Sequence, residues 1–268
     1  MLSHAVKKGW IEKNPASNSL LGDRFMTKRK PNKKEQFNGE QLTALFNSPL
    51  YTGCKNDGYG VNRPGPNLPR RGKFWVPLIG LFHGMRLNEC CQLLVSDIEQ
   101  EDGIAVIRVS EGDVREGELE KRLKTAASDR TVPLHPKLLR IGFLEFVGER
   151  REKGGSERLF PELKACKLGY LSNPFSKWFG KWFGRFLKTN VGEDCGATFH
   201  SFRHMVRDKF REIGTNPDRF RAIQGWEEGT GVHKDYGEGF SASVLFDEIR
   251  KIEYRGLDLS HLYLENQN

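Results

Sequence analysis

Ten consecutive residues, F-W-V-P-L-I-G-L-F-H at 74–83, are apolar on nearly every face, and Gly84 follows them. A helix that is apolar all round has no side to offer water, so the segment predicts a buried helix that breaks at Gly84. A chain of 268 residues can wrap such a helix in a substantial core, as one large domain or as a domain with a small appendage. The break falls just before Arg86 in G-M-R-L-N-E. A candidate functional arginine therefore leaves the end of a buried element.

Around this helix the pattern is mixed. Asn38 is placed to cap a helix over G-E-Q-L-T-A-L-F. Residues 104–109 (I-A-V-I-R-V) alternate like a strand, and 119–124 with 129–134 predict the next strands around T-A-A-S. From Pro136 onward the chain reads as mainly helical. The expected fold is α+β, mainly helical, with a small antiparallel sheet that carries Lys124. Residues 4–13 look like the end of a helix. Lys28, Arg29, Lys30, Lys33 and Lys34 then surround a proline and read as a solvated linker.

Five residues stand in an order that has a chemical meaning. Arg86 and, in F-H-S-F-R-H, Arg203 are fixed cations suited to binding the charge that spreads over the non-bridging oxygens of a phosphodiester under attack. Tyr236, in G-V-H-K-D-Y-G, has a hydroxyl whose reference pKa of about 10 makes it a poor nucleophile until a base helps remove its proton. His200 is the candidate for that help. The departing 5′ oxygen needs a proton, and Lys124 on a hairpin beside other cations can supply one. These parts move a phosphodiester onto tyrosine without metal or nucleotide cofactor.

The motifs together resemble the tyrosine recombinase, or phage integrase, family. The matching pieces are G-M-R-L-N-E at 84–89, L-K-T-A-A-S-D-R-T-V-P-L at 123–134, F-H-S-F-R-H at 199–204, I-Q-G-W at 223–226 and Tyr236. Trp226 lies 23 residues after Arg203 and Tyr236 a further 10 on, close to the family's spacing, and the resemblance runs over roughly residues 36–255. A lone H-x-x-R is weak, since His and Arg three apart are common on helices; five boxes in order are specific. Tryptophan at 226 is an allowed variant where the family has His or Trp. The resemblance implies a recombinase catalytic domain over 36–268 ending in a tail helix. It also implies that residues 1–35 are the end of a core-binding domain and a basic linker, so that the chain begins within that domain's last helix and lacks a second DNA clamp.

Charge and composition agree. The net charge of +8 favours a polyanionic partner. No apolar run approaches about 20 residues and no signal peptide follows Met1, which argues against a membrane or secreted protein. Cys54, Cys90, Cys91, Cys166 and Cys195 are odd in number and lack C-x-x-C spacing, so neither a disulfide framework nor a zinc site is expected. The expected location is cytoplasmic, on the nucleoid. From Leu163 to Val191 the chain has no acidic residue, and Lys177, Lys181, Arg185 and Lys188 are spaced 4, 4 and 3. A helix would line these cations along one face while Trp178, Phe179, Trp182, Phe183 and Phe186 turn inward, and such a stripe suits phosphate contacts. Gly180 and Gly184 weaken the helix.

Each residue also has a plainer reading. The basic stripe can be a solvated face. Trp226 can be a core aromatic, although its indole N–H can also donate to a phosphate. Glu89, one turn past Arg86, either orients that guanidinium or faces solvent. Lys121 and Arg122 adjoin Lys124 and compete with it, Tyr254 is the fallback nucleophile, and His204 and His233 read as structural or surface residues. In the tail, Val244, Leu245, Ile249 and Ile252 form an apolar stripe with little core expected for it, so docking on a neighbouring protomer is predicted, with folding back in cis as the alternative. The function implied is that of a site-specific recombinase, the integrase of a mobile element. Its partners would be double-stranded DNA, further copies of the chain in a tetramer, and accessory DNA-bending proteins. The alternatives are a type IB topoisomerase-like relaxing enzyme and a helical DNA-binding protein that forms no covalent link.

Overall fold

The computed structural model describes residues 2–14, 35–111, 120–123, 128–154, 157–192, 195–226 and 239–266. Backbone contacts divide the chain into two units, Met1–Lys34 and Glu35–Asn268. In the first, the helix is Leu2–Lys7, shorter than residues 4–13. Gly9, at φ +71°, ends it: Gly9 N–H donates to Val6 O and Trp10 N–H to Ala5 O, the paired bonds of a left-handed helix stop. The basic stretch 28–34 lies outside the described residues.

The second unit is a mainly helical α+β domain with a small sheet. Its central helix is Gly72–His83, in which every residue except Lys73 is buried. The all-round apolar pattern is met by neighbours on all sides, Trp75 alone touching Phe74, Phe143 and Phe146. Gly84 ends the helix at φ +60°. A Cβ there would lie 2.4 Å from Gln224 Nε2, so the left-handed turn and the close approach of Gln224 both require glycine.

Upstream, Gly39–Phe46 is capped as expected. Gln41 N–H donates to Asn38 Oδ1 at 2.8 Å, and Asn38 N–H donates back to Gln41 Oε1 at 3.2 Å. The sheet is antiparallel in the order β1 (Ile98–Glu101), β2 (Ile104–Val109), β3 (Arg130–Pro133), with Ile98 opposite Ile107 and Val109 opposite Arg130. The strand expected at 119–124 is absent from its described residues: 120–123 has no regular structure, and 119 and 124–127 lie outside the described residues. Side chains have taken its hydrogen bonds. Arg122 N–H donates to Gln92 Oε1 at 3.0 Å and Gln92 Nε2 donates to Arg122 O at 3.2 Å. β3 pairs directly with β2 instead, and the third strand is β1 on the other edge of β2, whose I-E-Q-E buries only Ile98.

After Pro136–Ile141 and Phe143–Lys153, the aromatic helix Ser172–Asn190 buries Phe175, Phe179, Trp182, Phe183, Phe186 and Leu187. Burial of six large side chains, about 1.5–3 kcal/mol each, outweighs the roughly 1 kcal/mol that each of Gly180 and Gly184 costs a helix. Helices Phe199–Glu212 and Pro217–Gln224 follow. The tail helix Ala242–Ile249 corrects the expectation of docking in trans. It packs in cis on β2, β3 and Pro217–Gln224, and Leu245, Ile249 and Ile252 are all at most 3% exposed. The core left for it is the surface offered by β2, β3 and Pro217–Gln224, and its apolar residues join the main core. Tyr254 is fixed with it, its hydroxyl donating to Leu81 O at 2.7 Å; burial raises its pKa, which removes it as a fallback nucleophile. Among the described residues no helix is long and apolar enough to cross a membrane.

Candidate active site

Arg86 follows the Gly84 turn in extended backbone, at the start of the short helix Leu87–Cys91. Its position is fixed at four points. The main-chain N–H donates to Glu89 Oε2 at 2.9 Å, Nη1 donates to Glu89 Oε1 (2.7 Å) and Ser128 Oγ (2.9 Å), and Nη2 donates to Gly225 O (2.9 Å). Glu89 thus orients the guanidinium and does not face solvent; it is 3% exposed. Burial works against its charge. The Arg130 guanidinium and the hydrogen bonds from Arg130 and Arg86 outweigh that and hold the carboxyl below its ordinary range.

Arg203 arrives from the opposite side on Phe199–Glu212. The F-H-S-F-R-H turn faces Phe199, Phe202 and Arg203 inward, which brings a guanidinium into the core beside two phenyl rings. Nη1 donates to Gly84 O at 2.8 Å and Nη2 to Gln224 O at 2.6 Å. Burial first, and then repulsion from Arg86 and Arg130, push its pKa down to about 9, leaving it cationic at neutral pH. His200, one turn earlier, is exposed, with its ring edge-on to His204 at 4.8 Å. His204 is half-buried.

Arg130, on β3, is a residue that the motif reading passed over. Only 8% exposed, it donates from Nε to Ile223 O (2.7 Å), from Nη1 to Ser128 O (2.8 Å) and from Nη2 to Glu89 Oε2 (2.9 Å). The signal lay in D-R-T-V-P-L: Arg130 is two residues before buried Val132, hence on the same inward side of a strand.

Three arginines from three distant segments therefore take three successive carbonyls, Ile223, Gln224 and Gly225, at the C-terminus of Pro217–Gln224. A helix C-terminus leaves carbonyls without intrahelical partners and carries partial negative charge, so cations satisfy it twice over. Among the described residues one carboxylate, Glu89, is bonded within this group, by Arg86 and Arg130, against three guanidinium groups, which leaves an excess of fixed positive charge. Such an excess can bind an oxyanion.

Trp226 comes directly after these carbonyls. It is 36% exposed and so not a core aromatic; Arg203 lies 5.6 Å and Arg207 5.5 Å from its ring centroid, and Phe220 packs on it at 5.6 Å. Lys124, Tyr236 and His233 lie outside the described residues. Of the competitors to Lys124, Lys121 is buried in an ion pair with Asp97 at 2.7 Å, and Arg122 donates to Leu168 O and sits over Tyr170. Lys177, Lys181, Arg185 and Lys188 lie exposed along the aromatic helix, opposite its buried rings.

Two solved structures of the Tn1549 transposon integrase share this fold. One is in complex with circular intermediate DNA, at 20% identity and TM-score 0.51. The other, a variant in complex with transposon right end DNA, has 20% identity and TM-score 0.52; each match covers 84% of this chain and 67% of that one. No curated protein sequence matches the chain. The fold is that of a tyrosine recombinase catalytic domain. The model of the phage integrase family matches residues 76–238, and the chain belongs to that family. It is accordingly a DNA cleaving and rejoining enzyme.

Proposed function

We propose that the chain is the integrase of a mobile element and that its reaction runs through Tyr236 on double-stranded DNA. The Tyr236 hydroxyl oxygen attacks the scissile phosphorus, forming a 3′-phosphotyrosyl bond as the bond to the 5′ oxygen breaks. His200 takes up the phenol proton and Lys124 delivers one to the leaving oxygen. Arg86 and Arg203 bind the non-bridging oxygens, with the Trp226 indole N–H as a further donor, while Glu89 and Arg130 are positioning residues. The covalent link retains the bond energy, so a 5′ hydroxyl from the partner duplex reverses the step. Strand exchange between two duplexes calls for four such sites, hence assembly of four protomers on DNA. Residues 1–35 serve as the end of a core-binding domain and a basic linker, and the work is done in the cytoplasm on the nucleoid.

The observation that supports this reading most is the delivery of Arg86 and Arg203 to adjacent carbonyls, Gly225 and Gln224, 11 and 12 residues before Tyr236. Incubation with a nicked duplex bearing the element's end sequence, followed by a denaturing gel, tests it. Wild type should leave a covalent protein–DNA adduct. Tyr236→Phe should leave none while binding DNA within a few-fold of wild type, since it removes one hydroxyl and no charge. An adduct from the Tyr236→Phe variant would move the nucleophile elsewhere.

A further inference from the structure

Residues 53–71, joining the short helix Pro49–Thr52 to the central helix, form a loop braced by its own hydrogen bonds. Cys54 N–H donates to Asn67 O (2.8 Å) and Asn67 N–H to Cys54 O (3.1 Å), while Lys55 N–H donates to Arg63 O (2.8 Å). The Asn56 carboxamide oxygen accepts from Gly58 and Gly60 N–H, both at 3.0 Å. The two arms meet at glycines: a Cβ on Gly65 would lie 2.7 Å from Lys55 N, and one on Gly53 2.6 Å from Gly65 O. Cys54 and Val61 are buried and pin the loop to the core. At the tip Tyr59 is the most exposed large hydrophobic side chain among the described residues, at 106%. A loop ordered on folding has little ordering entropy left to lose on binding.

The charges of the loop are sorted. Asp57, its one acidic residue, is held by Arg71 at 2.5 Å, and its carbonyl accepts from Lys73 Nζ at 2.5 Å. Lys55 and Arg63, paired across the neck, are exposed and have no acidic partner among the described residues. The loop is also fastened to the aromatic helix. Trp182 Nε1 donates to Asn62 Oδ1 at 2.5 Å, Trp178 stacks on Trp182 at 5.0 Å, and Lys73 lies 4.8 Å over Trp178. Trp178 and Trp182 are chain neighbours of Lys177 and Lys181, so Arg63, next to Asn62, is brought to the flank of the basic face. That helix starts near the arginine cluster, where Ser172 N–H donates to Asn88 Oδ1 at 3.3 Å. Trp182 is ten residues further on, roughly 15 Å along the axis.

We infer that loop 53–71 is a preformed arm for the DNA backbone: Lys55 and Arg63 continue the basic face of Ser172–Asn190 across a second segment, and Tyr59 is laid against the sugar–phosphate backbone. The partner is duplex DNA, since unpaired cations beside an exposed tyrosine match phosphates in charge and in hydrogen bonding. This rests on the reading of the chain as a DNA recombinase.

The test is the salt dependence of duplex binding by the whole chain, measured by fluorescence anisotropy for wild type, Lys55→Gln/Arg63→Gln and Tyr59→Ala. Each lost phosphate contact lowers the slope of log K against log salt by about 0.9, so the double variant should lose about 2 from the slope and bind roughly tenfold more weakly. Tyr59→Ala should weaken binding with little change in slope. All three proteins should melt together, because the altered side chains are exposed, and the adduct assay reports separately on the recombinase reading. A wild type that forms the adduct, beside a double variant with an unchanged slope, overturns the arm and leaves the enzyme intact. An unchanged slope with loss of binding to phosphatidylserine vesicles would also overturn it, by assigning the loop to a membrane surface.

Discussion

At the scale of single residues, the site is organised by main-chain carbonyls as much as by side chains. Arg130 is the clearest case, because it touches Ile223 O, Ser128 O and Glu89 and, through Glu89, holds Arg86. Arg130→Ala leaves a buried carboxylate short of a partner, and breaking a buried ion pair in this way costs on the order of 3–5 kcal/mol. Arg130→Lys keeps the charge and loses the fork that reaches three acceptors. The lysine variant should fold and bind DNA nearly as wild type does, yet form the covalent adduct at least about tenfold more slowly, as expected when a preorganised charge is displaced. Equal single-turnover rates for Arg130→Lys and wild type would make Arg130 a purely structural residue. The sequence shows Arg86, His200, Arg203, Trp226 and Tyr236 because their motifs are local. Arg130 is hidden, because its partners lie 41 residues away at Glu89 and 93 away at Ile223.

At the scale of elements, the central helix is joined to the start of Pro136–Ile141, just after β3, by two buried histidines in fixed tautomers. His83 Nε2 accepts from His135 N–H at 3.0 Å, so Nδ1 carries the hydrogen towards Ile79 O; His135 Nδ1 accepts from Lys137 N–H, so Nε2 donates to Ile252 O. Both are neutral in the fold, their pKa values pushed down by burial to about 4 and about 3. The unfolded chain binds these protons near pH 6.5. Between pH 6.5 and 4 it therefore holds more protons than the folded chain, and stability must fall as pH falls through that window. Melting temperature should be flat above pH 7 and drop steadily below 6.5. His83→Gln should flatten part of that slope, and a variant with an unaltered profile would show that other groups set the acid limit. Helices with a strong periodicity were legible in the sequence, as at 74–83 and at the Asn38 cap. β1 was not, because I-E-Q-E is polar at three of four positions and becomes a strand only by pairing with β2.

At the scale of the whole molecule, the tail closes the catalytic unit. Leu245, Ile249, Ile252, Leu259 and Leu262 are all at most 3% exposed, Ile252 O and the Tyr254 hydroxyl bond to His135 and Leu81, and Glu248 gathers Thr215, Arg219 and Lys251. At about 1.5–3 kcal/mol for each buried aliphatic side chain, five such residues amount to as much as the whole stability of a typical domain. Deleting residues 241–268 should therefore abolish the cooperative thermal transition seen by circular dichroism. A truncated chain that melts as sharply as the full one would mean that the tail is dispensable to the fold. What the sequence determined by itself were features fixed within one segment: the buried helix and its stop at Gly84, the family motifs, and the inward aromatics and outward cations of residues 172–190. Each follows from periodicity or local backbone sterics, which need no distant partner. Tertiary structure decided that the tail folds in cis, that 120–123 bonds to Gln92 and not to a strand, and that Arg86, Arg130 and Arg203 converge on one helix end. Those outcomes depend on which unsatisfied carbonyl, carboxylate or apolar face a segment meets across the fold, and that is settled only when the core closes.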